Sequence, residues 1–422
     1  IGGTGNDTLN GGAGNDTITT NTGNDTVDGG AGDDVVNMDG NLTGDDTVAG
    51  GDGTDTIAID AAATAITAAG VSSFEVLRFD TAALDQNMVN FTANTTFTKL
   101  VNNVAGANSV TNVSNTVTDL TALNGTTTLG FDRLVDGATN ALTFGAATDV
   151  ATTITTLTAN DEETLTIDDG AIDSALNLVI GTLNAEDLVT LNITGVANVE
   201  ITNAIAAQTV ATLTTVNAAT NTGTVDVDAS NATLALTMTG SATAASILAG
   251  GSTGDTITGG AGNDTLTGNG GTDTIVGGAG TDGINGGTGN DTLTGGEGTD
   301  TITGAAGSDS IILTETQSVA DIVVINAVQA TSSDSGRTTV TGDNNDTGAD
   351  TVTGFAFGTD TIKIVATEVA VFDHTTDTFI GTATGDVNDG TVGSFLGTVG
   401  LVDLDGNATI GAGDVAITFA SP

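Results

Sequence analysis

The chain has 422 residues, 53 of them acidic and 5 basic, a formal net charge of −48 at pH 7, and no cysteine, tryptophan or tyrosine. Nucleic acid and anionic membranes would repel such a chain, so neither is expected as a direct partner; disulfides contribute nothing, and no apolar run approaches the ~18 residues of a membrane span. Hydrophobic content of 38% and a positive mean hydropathy argue that most of the chain folds, and its length allows about two to four domains.

Aspartate punctuates the first segment, residues 1–58, at every ninth position. Asp7, Asp16, Asp25 and Asp34 keep this spacing, and after a three-residue slip around Met38 to Thr43 it resumes with Asp46 and Asp55. An aliphatic residue stands two places after each acid: Leu9, Ile18, Val27, Val36, Val48 and Ile57. Paired glycines before the acid allow tight turns and bring carbonyl oxygens close to an ion. Calcium takes six to eight oxygens, so a loop with one carboxylate and a few carbonyls needs a second loop to complete the shell. The repeat therefore reads as the GGxGxDxUx nonapeptide of a calcium-bound parallel β-roll. A flexible glycine-rich linker has no reason to keep an aliphatic residue at this offset. The slip is expected to interrupt one calcium row.

Residues 59–246 have no nine-residue period. Short segments such as Glu163-Thr-Leu-Thr-Ile167, Leu188-Val-Thr-Leu-Asn-Ile193, Asn198-Val-Glu-Ile-Thr202, Thr224-Val-Asp-Val227 and Leu234-Ala-Leu-Thr-Met238 largely alternate apolar and polar side chains. With abundant β-branched residues, this Thr/Ala-rich region reads as a β-solenoid or stacked sheet continuous with the calcium coils, with a β-sandwich as the alternative. The alanines between Ala61 and Gly70 favour a short helix.

The nine-residue period returns in residues 247–313, where Asp255, Asp264, Asp273, Asp282, Asp291, Asp300 and Asp309 stay in register. Two nonapeptides make one coil, so the completing aspartate lies eighteen residues on: Asp255 with Asp273, Asp264 with Asp282, Asp273 with Asp291, Asp282 with Asp300, Asp291 with Asp309. Carbonyls of Gly260, Gly262, Gly278, Gly280, Gly287 and Gly289 are the matching main-chain candidates. Ile257, Leu266, Ile275, Ile284, Leu293, Ile302 and Ile311 are expected to point inward as a thin core. Departures are few: Thr20 and Asn21 replace a glycine pair, Asn269 and Ala305 each replace one glycine, and Thr253 replaces another.

The last 109 residues, 314–422, hold weaker signals. Asp350-Thr-Val-Thr-Gly-Phe-Ala-Phe-Gly-Thr-Asp-Thr-Ile362 is expected to cap the coil against end-to-end aggregation. Asp403, Asp405, Asn407, Thr409 and Asp414 fit the ligand spacing of an EF-hand or dockerin-like loop, although Ala408 takes the usual glycine position and no flanking helices are evident; an ordinary acidic turn is the alternative.

The two repeat blocks resemble the RTX (repeats-in-toxin) calcium repeats of Gram-negative proteins exported by type I secretion. The wider layout is similar to the calcium-dependent surface-layer proteins of stalked alphaproteobacteria, notably where Gly50-Gly-Asp-Gly-Thr-Asp-Thr-Ile57 leads into Ser73-Phe-Glu-Val-Leu-Arg-Phe79 and where Leu213-Thr-Thr-Val-Asn217 leads into the second block. That resemblance implies an extracellular lattice subunit that contacts other copies of itself. It also makes Asp414-Val-Ala-Ile-Thr-Phe419 similar to the end of a type I secretion signal. The chain opens at Ile1 without a signal peptide, and an upstream segment is expected; in the surface-layer proteins such a segment anchors the molecule to cell-surface polysaccharide. The alternatives are a secreted adhesin or filament stalk, and the RTX portion of a secreted enzyme.

Catalysis finds little material. His374 is the sole histidine and reads as a solvated loop residue. Gly250-Gly-Ser-Thr-Gly254 and Gly278-Ala-Gly-Thr-Asp-Gly283 match nucleophile-elbow and dinucleotide patterns only by accident of the repeat, because neither lies between a strand and a helix. No catalytic residue is expected.

Overall fold

A computed structural model describes residues 1–39, 42–60, 70–91, 93–122, 127–134, 140–146, 152–168, 177–203, 205, 212–313, 319–327, 351–353 and 361–366. Residues 61–69 of the expected short helix, the Asp403 loop, His374 and the C-terminal tail lie outside them. The chain divides into two compact units, Ile1–Leu213 with Thr220–Gly223, and Thr214–Ala219 with Thr224–Pro422.

The first unit is a parallel coil with two strands per turn in its repeat segment. Thr8–Ala13 pairs with Thr26–Ala31, setting Leu9 opposite Val27, while Thr17–Thr19 pairs with Val35–Asn37, setting Ile18 opposite Val36. Each strand therefore meets the strand one coil later, and the nonapeptide period becomes the sheet register. Beyond the repeats one sheet continues without a break in pairing, whereas the other ends at Val71–Ser72 and a new sheet opens at Asp85–Asn87. Thr56–Ile59 pairs with Val76–Phe79, and Val76–Phe79 with Lys99–Asn102. The coil lengthens as it goes: Leu100 faces Leu120, Leu120 faces Phe144, and Leu165 faces Leu191. Parallel pairing one coil apart is incompatible with an antiparallel sandwich, so that alternative is excluded for the described residues. The only helix among them is the single 3-10 turn Met88–Asn90.

The second unit repeats this construction. Val216, Met238, Ile257, Ile275, Leu293 and Ile311 face one another in succession along one sheet. Val227, Leu248, Leu266, Ile284, Ile302 and Val323 do so along the other. All of these side chains are buried, because β-branched and aliphatic residues pack well on a pleated surface and alternate strand positions share one face. Backbone pairing extends to Thr351–Thr353 and Thr361–Ala366, so the segment expected to cap the coil contributes strands that lengthen it.

In the non-repeat coils of the first unit an ion pair is buried within the stack. Arg133 and Glu162 form a buried ion pair, Nε to Oε1 2.6 Å, with side chains 1% and 0% exposed. The guanidinium also donates to the carbonyls of Ser114, Val117 and Ala141 and lies 4.7 Å over the ring of Phe131. Burial raises the pKa of Glu162 even though Arg133 lowers it. Removing one partner strands the other charge, so Arg133→Ala is expected to cost about 3–5 kcal/mol in a denaturant melt. A midpoint that does not move would show that the pair is dispensable to the coil.

Candidate metal centre

Each repeat aspartate sits where a glycine turn hands over to a strand, and its carboxylate reaches one coil back. Asp255 N–H donates to Oδ1 of Asp273 at 2.7 Å, Asp264 to Asp282 at 2.8 Å, Asp273 to Asp291 at 2.8 Å, Asp282 to Asp300 at 2.9 Å and Asp291 to Asp309 at 2.9 Å. Those are the five pairs at eighteen-residue spacing. In the N-terminal block, Asp7 donates to Asp25 at 2.9 Å and Asp16 to Asp34 at 2.8 Å.

The slip does not interrupt this ladder. Asp25 N–H reaches Oδ1 of Asp46 at 2.7 Å and Asp34 N–H reaches Asp55 at 2.8 Å, each across 21 residues. The three extra residues are absorbed in the turn before Asp46, whose Oδ2 accepts from Thr43 N–H and Oγ1 at 2.7 and 3.1 Å. One carboxylate is altered, and the row passes through.

The second oxygen identifies the chemistry. Oδ2 of Asp16, Asp25, Asp34, Asp55, Asp273, Asp282 and Asp291 is buried with no hydrogen-bond partner. In all of these but Asp25, whose repeat has Thr20 in that place, it points at the first glycine of its own repeat. A Cβ on Gly286 would collide with Oδ2 of Asp291 and come within 2.7 Å of the Gly304 carbonyl. A Cβ on Gly29 would lie 2.6 Å from Oδ2 of Asp34 and collide with the Gly50 carbonyl. A carboxylate oxygen and a carbonyl from the next coil thus converge where only glycine leaves room. Among the described residues no three acidic or histidine side chains gather as a metal cluster. The oxygens available are therefore stacked aspartates plus main-chain carbonyls, a hard set that fits calcium.

The carbonyls nearest the carboxylates belong to first glycines such as Gly268, Gly277 and Gly304, which sequence reasoning did not single out. The second and third glycines form columns of their own. The Gly260 carbonyl lies under Gly278, that of Gly262 under Gly280, and that of Gly289 under Gly307, while Gly287 covers Asn269 and Gly289 covers Gly271. Two further acids extend the rows beyond the nine-residue period: Asp300 N–H donates to Asp321 at 2.9 Å and Asp55 N–H to Glu75 at 2.9 Å. The 21-residue spacing of Asp321 repeats that of the slip, and the 20 residues to Glu75 fall one short of it; an acid about one lengthened coil on is the signal that could have found them. Ser252 of the nucleophile-like pattern stands in the turn between the strands Ser246–Ala249 and Thr256–Gly260, away from any helix.

Ala305 holds φ +68°, and Asn269 φ +70°, at glycine positions of the turn. A left-handed residue with a Cβ costs about 1–2 kcal/mol, partly offset by the smaller chain entropy that alanine loses. Ala305→Gly is therefore expected to raise stability in calcium by about 0.5–1 kcal/mol; a lower melting midpoint would refute the strain.

Stacked carboxylates also raise one another's pKa. Asp273, Asp282 and Asp291 are pushed up from 3.8 to about 6, first by burial and further by the aspartate one coil back, against a lowering by that residue's N–H. Burial raises Asp255 and Asp264 too. With folded values near 6 and an unfolded value of 3.8, the ion-free coil binds more protons than the unfolded chain. This contribution to stability is present at low pH and is lost as pH rises through about 6. Calcium has the opposite dependence, because it must displace those protons. In calcium-free buffer the β signal in circular dichroism is expected to be larger at about pH 5 than at about pH 7, whereas the apparent calcium affinity should be weaker at the lower pH. A β signal that grows from pH 5 to 7 without calcium would overturn this assignment.

The family model of the RTX calcium-binding nonapeptide repeat matches the chain four times, at residues 1–36, 42–58, 249–284 and 284–311. The interval between the first two matches falls on the slip. No curated protein matches the chain significantly. Repeats of this family bind several calcium ions and mark secreted proteins, and the orphaned aspartate oxygens lie inside the matched segments. The chain thus carries RTX calcium-binding nonapeptide repeats in both of its aspartate blocks.

Proposed function

We propose that this protein is a structural, non-catalytic subunit of an extracellular surface layer, folded by calcium and assembled with other copies of itself. The observation that supports the reading most directly lies in the first unit, where repeat coils pass in register into coils that have no repeat. Thr56–Ile59, in the matched segment, pairs with Val76–Phe79 outside it, which in turn pairs onward. Such calcium rows belong to the scaffold itself, as a load-carrying lattice component requires. A net charge of −48 would also drive copies apart, so a divalent cation is needed between or within them. Export by type I secretion and attachment to cell-surface polysaccharide through an upstream segment complete the proposal.

Magnitudes favour folding after export. A site whose dissociation constant lies about tenfold below ambient calcium contributes about 1.4 kcal/mol. Five pairs in the second block would then supply about 7 kcal/mol, against about 5–15 kcal/mol for the whole stability of an ordinary domain. At cytosolic calcium that contribution vanishes.

Purified protein imaged by electron microscopy with calcium is expected to form periodic sheets that dissolve in chelator, with loss of β signal in circular dichroism. Linear filaments would instead favour an adhesin or stalk. Soluble monomers under both conditions would refute self-assembly, and native β structure surviving excess chelator would refute calcium-driven folding.

A further inference from the structure

The second family match stops at residue 58, but the carboxylate ladder does not stop there. Asp55 N–H donates to Oε2 of Glu75 at 2.9 Å, which is the bond that Asp34 makes to Asp55 at 2.8 Å and Asp16 to Asp34 at 2.8 Å. Asp55 is 0% exposed; its Oδ1 is taken by Asp34, and its Oδ2 has no hydrogen-bond partner. That oxygen lies 2.7 Å from where a Cβ on Gly50 would stand, and the Ser73 carbonyl enters the same space from the next coil. One coil earlier, Oδ2 of Asp34 and the Gly50 carbonyl bear the same relation to Gly29. Ser73 therefore stands in for a repeat glycine, although its φ of +58° is not shared by Gly29 or Gly50.

We propose that Asp55 Oδ2, the Ser73 carbonyl and the Glu75 carboxylate form a calcium station outside the nonapeptide repeats. The inference rests on calcium binding by the repeats themselves. The local charge favours a cation: Asp33, Asp34 and Glu75 all act on Asp55 as like charges. Arg78, three residues beyond Glu75, is committed to Asp80 at 2.7 Å and to Asn37 at 3.0 Å.

The station also has a structural reach that the repeats lack. The Glu75 carbonyl accepts from Thr98 and Lys99 N–H at 2.9 and 3.1 Å. Its neighbour Phe74 is buried and bonded through both N–H and C=O to the amide of Asn94, at 2.9 and 3.0 Å. An ion held here fixes the first two coils of the non-repeat region. Calcium dependence thereby extends into sequence that carries no nonapeptide.

Glu75→Gln tests this, because the amide oxygen can still accept from Asp55 while the charge is lost. At the calcium concentration that just saturates the full wild-type chain, the variant is expected to hold one ion fewer per chain, by equilibrium dialysis and atomic emission. An unchanged complement would overturn the station while leaving calcium-driven folding intact; a wild-type chain that binds no calcium would overturn the reading beneath it. If the variant does not fold, wild-type crystals grown in calcium decide. An anomalous difference peak touching Asp55 and Glu75 is expected, and peaks confined to the aspartate rows would refute the proposal.

Discussion

One hydrogen bond organises the repeat coils: the N–H of each aspartate donates to the carboxylate of the aspartate one coil later. Because it links equivalent positions, it locks register along the stack and places every second aliphatic residue of a sheet over its predecessor, as Ile257 lies over Ile275 and Ile275 over Leu293. It uses only one oxygen of each carboxylate. The other is left buried, facing a glycine and a carbonyl, in a row of like charges. Order and electrostatic cost therefore come from the same group, and a divalent cation offsets the cost without disturbing the order.

The non-repeat coils show how asparagine fills such places. Beside the ladder, next to Glu75, Asn94 accepts from Phe74 N–H through Oδ1 and returns a bond to the Phe74 carbonyl through Nδ2. Asn108 likewise accepts from Leu84 N–H and donates to the Thr81 carbonyl. An asparagine keeps the register bond and satisfies its own remainder, because it carries a donor where aspartate has a second acceptor. Exchanging Asp for Asn at such a position thus changes whether the coil needs calcium without changing its path. Where a charge is kept deep in this region, the pattern is different again: Arg133 supplies the cation to Glu162 covalently tethered to the chain.

A fixed period made the repeat blocks legible, since nine residues per strand and a single charged position per period leave one register that buries every aliphatic residue. The five aspartate pairs follow from that alone. The middle region could be read as short strands but not as a register, because its coils differ in length: Leu120 lies twenty residues from Leu100, whereas Leu191 lies twenty-six from Leu165. Glu75 and Asp321 escaped notice for the same reason, lying off the nine-residue count although they continue the ladder. At the slip, sequence spacing and register part company. In three dimensions a longer turn before Asp46 leaves the bond from Asp25 intact. The partnership of Arg133 and Glu162, 29 residues apart, has no sequence signature.

The demand for an ion is not uniform along a row. Asp7 satisfies Oδ2 with Gly3 N–H at 2.6 Å, and Asp255 does so with Gly251 N–H at 2.7 Å. One step before Asp264, Ser246 occupies the aspartate position and its hydroxyl accepts from Ser241 N–H at 2.9 Å. Three of the four rows therefore start with a group whose remaining acceptor is met by its own turn, whereas Asp16, which opens the row to Asp34 and Asp55, already leaves Oδ2 orphaned, as do the later members Asp273, Asp282 and Asp291. Those same three titrate near 6, each raised further by the carboxylate one coil back. The opening turn of a row can thus form on hydrogen bonds alone and present a register to the next coil, while each added coil brings in a carboxylate that requires a cation. In those three rows, templating by the ion-independent start and completion by calcium are then properties of position in the row, although the nonapeptide itself hardly changes along it.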